Sequence, residues 1–271
     1  MLSSEKAGAL QVTIHDSQFT IHNSVPQPII DDEQTAKDED GDSTTNTDEP
    51  APKKIAYITI DDGPSRAITP RILDVLKREG VKATFFVLPH NGVDDIYRRI
   101  IDEGHEIGNH SYSHIYSSLY NSTDIETFKE DVIMAREYIW KNFKYRTVSY
   151  RFPGGPMGRS ASVLEPRREI LSDLGYNDFS WHVDTGDSRS GQTDKSTEAL
   201  TANVLRNTRG REQLIVLMHD TQSKATTLAA LPRIIAGLRA QGYTFDILRN
   251  YYPSKETNTL HRARTTTDMK E

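Results

Sequence analysis

The chain has no cysteine among its 271 residues, and no serine stands in a Gly-x-Ser-x-Gly elbow. The first absence removes a thiolate nucleophile and the second removes the common strand-to-helix serine nucleophile, so covalent acyl-enzyme chemistry is disfavoured. No stretch carries a stripe of lysine and arginine, which argues against nucleic acid as a partner. No apolar run is long enough to span a membrane. The first 30 residues also lack the apolar core of roughly 7–15 residues found in export signals. Taken literally, the chain reads as soluble and cytosolic.

The charge that is present lies unevenly. Residues 31–49 hold nine acids and one lysine, a net of −8 against −6 for the whole chain, so the remainder sums to +2. This Ser-, Thr-, Asp- and Glu-rich stretch, followed by Pro50-Ala51-Pro52, has no core to bury and predicts an acidic disordered linker over 23–53. Upstream, Val12-Thr13-Ile14 and Phe19-Thr20-Ile21 flank a polar turn, so residues 1–22 read as a β-hairpin-like remnant of an upstream region, marginal alone in water. Residues 251–271 read as a polar tail. The stretch 54–250 is long enough for one full core.

Within that stretch the hydrophobic pattern alternates between two periods. Strand-like runs at 55–60, 83–88, 147–150, 178–183, 213–218 and 243–248 are separated by helix-like ones. Ile72, Leu73, Val75 and Leu76 share one helical face. So do Ile125, Phe128, Val132, Ile133 and Ile139, and later Leu228, Leu231, Ile234, Ile235 and Leu238. The alternation predicts an α/β fold with a parallel sheet or barrel.

Polar clusters fall at the ends of these runs, the edge where α/β sheets assemble their sites. Ile58-Thr59-Ile60-Asp61-Asp62-Gly63-Pro64 ends a buried strand in two adjacent carboxylates and a turn. Adjacent carboxylates in a turn diverge, so one can bind a metal while the other acts as a base; taken alone, the turn favours the reading as helix-capping acids, and the rest of the chain reverses that. Gly108-Asn109-His110-Ser111-Tyr112-Ser113-His114 holds an i, i+4 histidine pair, which a helical turn would set on one face. With Asp62 these form a set of two imidazoles and one carboxylate, a zinc-type arrangement that leaves a position open for water or substrate. His15, His22, His90, His105, His182 and His261 lack such spacing and read as ordinary. Three more clusters follow: Tyr150-Arg151-Phe152-Pro153-Gly154-Gly155, Phe179 to Asp187, and Leu214 to Asp220.

In this order the five clusters resemble the polysaccharide deacetylases of carbohydrate esterase family 4, the NodB-homology group, over about residues 54–250. The resemblance implies a distorted (β/α) barrel, one divalent metal (zinc, with cobalt or nickel as alternatives), and hydrolysis of N-acetyl groups from peptidoglycan- or chitin-type glycans. It also implies an exported, cell-wall-associated enzyme. Matched position by position, Asp61 takes the role of general base, and Asp62, His110 and His114 those of metal ligands. Arg151 matches the arginine that orients the base, His219 the general acid, and Asp187 its carboxylate partner, with Asp184 as the alternative. Pro153, Gly154, Trp181 and Leu217 match the substrate-binding positions. Two departures stand out. Gly154 replaces an aromatic common in the third motif, and Ser188 follows Asp187 where tryptophan is common, so a more open groove is expected.

Three other functions fit parts of this pattern. An acetylxylan O-deacetylase would use the same centre, although an amine leaving group needs the proton of His219 more than a sugar alkoxide does. A noncatalytic glycan-binding module would not need base, metal ligands and acid together. An amidohydrolase acting on a small cyclic amide would need a lidded pocket rather than an open cleft.

Overall fold

The computed structural model describes residues 54–121, 123–189 and 195–251. The expected hairpin over 1–22, the linker over 23–53 and residues 252–271 of the tail lie outside the described residues. In chain order the first half runs β1 (Lys54–Asp61), α1 (Thr69–Glu79), β2 (Ala83–Val87), α2 (Asp94–Asp102), β3 (Glu106–Asn109), α3 (Tyr116–Leu119) and α4 (Glu126–Phe143). The second half runs β4 (Ser149–Tyr150), α5 (Ala161–Asp173), β5 (Asn177–Asp178), β6 (Val183–Asp184), α6 (Thr197–Leu205), β7 (Gln213–His219), α7 (Ala225–Ala240) and β8 (Tyr243–Phe245).

β1 shows why the chain folds as a barrel. Its residues alternate: Ala56, Ile58 and Ile60 pack outward into the main core, while Tyr57 joins Phe86, Ile215 and Leu248 in a separate cluster on the inner face. α1 meets the outer face with Ile72, Leu73, Val75 and Leu76, and α7 with Leu228, Leu231, Ile234, Ile235 and Leu238, the faces expected from periodicity. All strand pairings are parallel, in the order β5-β4-β3-β2-β1-β7-β6, with β8 pairing the start of β1. This is a distorted (β/α) barrel.

The run 178–183, expected as one strand, is two. β5 and β6 lie at opposite ends of the strand order. The Phe179 amide still bonds the Tyr150 carbonyl (2.8 Å), whereas the His182 amide bonds that of Ile215 (2.9 Å), so the intervening residues cross from one edge to the other. β3 was not expected, because Glu106, Gly108 and Asn109 leave its four residues with one large apolar side chain, Ile107. The H-x-x-x-H segment is a loop rather than a helical turn. Ser111 (φ 79°) and His114 (φ 55°) both adopt left-handed backbone, and it is this loop that brings the imidazoles together.

Candidate active site

At the carboxyl ends of β1, β3 and β7 the chain turns out of the barrel, and the polar clusters meet there. Asp61 is the last residue of β1 and faces inward. Asp62 has left the strand with φ 77°, and its amide is held by the Phe86 carbonyl (3.2 Å). The Nε2 atoms of His110 and His114 each lie 3.4 Å from Asp62 Oδ1, and the three ligand-type atoms lie within 4.8 Å of one another.

Three observations suit this trio to a divalent cation. Asp62 Oδ1 is buried and accepts no hydrogen bond. His110 Nδ1 lies 2.9 Å from the Arg151 carbonyl, which can only accept, so the ring proton sits on Nδ1 and the Nε2 lone pair faces Asp62. Burial, with His110 as neighbour, holds His114 below its usual pKa and so leaves it neutral.

The histidine loop is fastened both from within its own cluster and from outside the five motifs. Asp131 on α4 accepts the amides of Tyr112 (2.7 Å) and Ser113 (2.9 Å), and Asn109 Oδ1 accepts that of Ser111 (2.9 Å). Asp131 was not singled out in the sequence, and Asn109 was quoted there without a role. Asp131 sits next to Val132 on the buried face of α4, where the only available signal was a charge on an apolar stripe.

Asp61 is held from the barrel interior. Arg151, fully buried, donates through Nη1 to Asp61 Oδ1 (2.9 Å) and Thr59 Oγ1 (2.7 Å). Its Nε and Nη2 donate to the carbonyls of Phe179 and Ser180, each at 3.1 Å. The guanidinium lies over Phe86, 4.2 Å from the ring centroid. Burial lowers the Arg151 pKa, and Asp61 opposes that shift.

Across the cleft, Asp187 Oδ1 lies 2.8 Å from His219 Nδ1, while its Oδ2 accepts the His219 amide (3.0 Å) and Thr227 Oγ1 (2.7 Å). The open choice between two aspartates is thereby resolved in geometry, since Asp184 turns instead to the Gly186 amide and to Arg189 (3.0 Å). Burial alone would lower the His219 pKa; the bond to Asp187 outweighs it and raises the value, favouring the charged ring. The same pairing outweighs burial at Asp187 and holds that carboxyl below its usual range.

Asp61, Asp62, His110, His114, Gly154, Trp181, Leu217 and His219 line one cleft of about 870 Å³. Pro153 does not line it: it is buried, and its carbonyl accepts the Tyr120 hydroxyl (2.7 Å), so it holds the loop that presents Gly154. Asp220, which ends the fifth cluster next to His219, was given no role in the sequence. It is fully buried, takes Thr69 Oγ1 on Oδ2 (2.5 Å), and burial pushes its pKa up to about 7.

The polar clusters thus converge on one cleft at the carboxyl ends of a parallel barrel. The sequence profile of the polysaccharide deacetylase family matches residues 48–178. A peptidoglycan-N-acetylglucosamine deacetylase of Bacillus cereus is 34% identical over 201 residues, covering 72% of this chain and 87% of the relative. A family 4 carbohydrate esterase of Streptococcus mutans superposes with a TM-score of 0.67 at 31% identity, covering 72% of this chain and 86% of its own. The catalytic domain of a peptidoglycan N-acetylglucosamine deacetylase from Eubacterium rectale gives 0.64 at 31% identity, covering 74% and 90%. The chain belongs to the polysaccharide deacetylase family.

Proposed function

We propose that this protein is a metal-dependent N-deacetylase of amino-sugar polymers, peptidoglycan- or chitin-type, acting on glycan outside the cytoplasm. The observation that carries the reading is the pairing across one cleft of two unlike sets. On one side stands the Asp62–His110–His114 trio with its unpartnered carboxylate oxygen, and on the other the His219–Asp187 pair. Asp61 lies between them. Zinc suits the two-imidazole, one-carboxylate donor set, and cobalt and nickel accept the same ligands. When bound, the cation supplies Lewis-acid polarisation of an acyl carbonyl and acidifies water.

The chain's own residues account for the proton traffic. Asp61, oriented by Arg151, accepts a proton from the attacking water as its oxygen bonds to the acyl carbon. The amide N–H of Gly154, on the exposed turn of its loop, is a donor for the oxygen that gains charge. His219, kept charged by Asp187, gives its proton to the departing nitrogen as the C–N bond breaks and acetate leaves. An amine leaves poorly without that proton, and this favours N-acetyl over O-acetyl substrates.

The test is acetate release from peptidoglycan, N-acetylglucosamine oligomers and acetylxylan, with and without a chelator. Turnover on the first two that rises with chain length and vanishes on chelation is expected. Equal rates on monomer and pentamer, or activity confined to acetylxylan, would overturn the reading.

A further inference from the structure

Two glycines in succession, Gly154 (φ 70°) and Gly155 (φ 72°), form the lip of the loop after β4, and each is overlaid by an aromatic ring from elsewhere. A β-carbon on Gly154 would stand 2.8 Å from the Tyr116 hydroxyl and 3.0 Å from the ring carbon that bears it. A β-carbon on Gly155 would run into the Trp181 ring. The space that side chains at 154 and 155 would claim is therefore taken by Tyr116 on one side and Trp181 on the other, and both line the cleft.

Tyr116 is held there by a purpose-built clasp. It opens α3, and Tyr120, four residues on, lies with its ring 6.2 Å away. Tyr120 is fastened twice: its hydroxyl donates to Pro153, and Arg159 lies over its ring at 3.7 Å while donating to the Gly155 carbonyl (2.5 Å). The Tyr116 ring itself lies 5.4 Å from that of His114 and keeps 47% of its surface exposed. Its hydroxyl has no hydrogen-bond partner among the described residues. A large half-exposed ring with a free hydroxyl, fixed at the mouth beside the metal-type trio, is costly to leave wet and suited to a sugar, whose C–H face packs on aromatic carbon while its hydroxyls need partners.

We infer that Tyr116 is a specificity-determining residue, the aromatic wall on which the sugar carrying the acetyl group rests, occupying the place that a side chain at position 154 would otherwise fill. This rests on the deacetylase reading above. It assigns the wall to α3 rather than to the loop, so Gly154 is small because Tyr116 covers it.

The experiment measures kcat and KM on N-acetylglucosamine pentamer for wild type, Tyr116→Phe and Tyr116→Ala, with metal content determined on each. Tyr116→Ala should raise KM about tenfold or more with full metal content and a smaller change in kcat. Tyr116→Phe, which keeps the ring, should recover most of that loss. Unchanged KM in Tyr116→Ala, or a fall in kcat alone, would overturn the assignment. Loss of metal in Tyr116→Ala would also overturn it, by making the residue a support for His114. Wild-type turnover is the control. Its absence sinks the deacetylase reading, whereas normal turnover with an indifferent Tyr116→Ala sinks only the role of Tyr116.

Discussion

The barrel encloses a carboxylate near each end, and the two live differently. At the floor, Glu106 is fully buried, yet every demand of its charge is met: Thr84 Oγ1 donates at 2.9 Å, Ser149 Oγ at 2.7 Å and the Arg249 amide at 2.8 Å. At the mouth, Asp62 Oδ1 is buried with two imidazole nitrogens 3.4 Å away and no hydrogen bond. A buried charge that is satisfied by the fold stabilises the fold, while one left unsatisfied waits for something the chain does not contain. The contrast separates these two acids by their partners, with no appeal to position alone.

The sharpest way to break this comparison is to exchange the two ends. His110→Ala or Asp62→Ala should abolish metal binding and lower turnover by several orders of magnitude, while the melting temperature of the metal-free protein stays close to wild type. Glu106→Ala should do the reverse, costing about 3 kcal/mol of stability as three donors lose their acceptor. Metal analysis and thermal melts on both variants decide the matter. Asp61→Asn sharpens the point within the mouth: it should keep the metal and lose turnover. Retained turnover would put the base elsewhere.

A smaller effect is expected across the cleft. His219→Ala should cost on the order of 10²–10⁴-fold in kcat, and Asp187→Asn less. Because Asp187 raises the His219 pKa, the charged acid persists above pH 6.5, and activity should fall only as pH rises through that raised value. Asp187→Asn should move this falling limb to lower pH. A pH–rate profile with the limb unmoved would detach the pair from proton delivery.

A last effect is on stability alone and shows only above the acid range. Burial pushes the Asp220 carboxyl up from the ordinary aspartate 3.8 to about 7, so the folded state keeps a proton that the unfolded chain gives up. Stability is therefore lost as pH rises from about 4 to 7, by at most about 4 kcal/mol. Asp220→Asn should melt like wild type at low pH and higher than wild type above pH 7. A melting difference independent of pH would show that Asp220 folds ionised.

How much of this could be read from the sequence follows from which forces leave a local trace. β1, β2 and β7 and the buried faces of α1, α4 and α7 are continuous or periodic apolar patterns, and they were legible. The grouping of Asp62 with His110 and His114 was legible because these residue types are chemically specific. The path that assembles it was not, since an i, i+4 histidine pair suggests a helix and only the left-handed backbone of Ser111 and His114, with Asp131 reaching over from α4, reveals the loop. β3 was hidden because Glu106 and Gly108 answer to the barrel interior, and Gly108 leaves room for the Phe86 ring on which Arg151 lies. The crossing within 178–183 was hidden for a similar reason, as its hydrogen bonds go to two strands far apart in the sequence.

That crossing has a consequence for how the enzyme can change over evolutionary time. The stretch of chain that joins the two edges of the sheet is held there by the guanidinium of Arg151, which grips the crossing backbone and Asp61 at once. A lineage cannot discard this arginine to silence the chemistry without also opening the barrel wall and leaving a buried aspartate unpaired, a loss of about 3–5 kcal/mol. Inactive descendants should therefore arise first by substitution at His219, whose partner Asp187 would still accept the backbone amide at 219 and the Thr227 hydroxyl. Such descendants would keep a folded groove able to hold glycan, so that decay of catalysis in this architecture leads toward a lectin-like protein before it leads to an unfolded one.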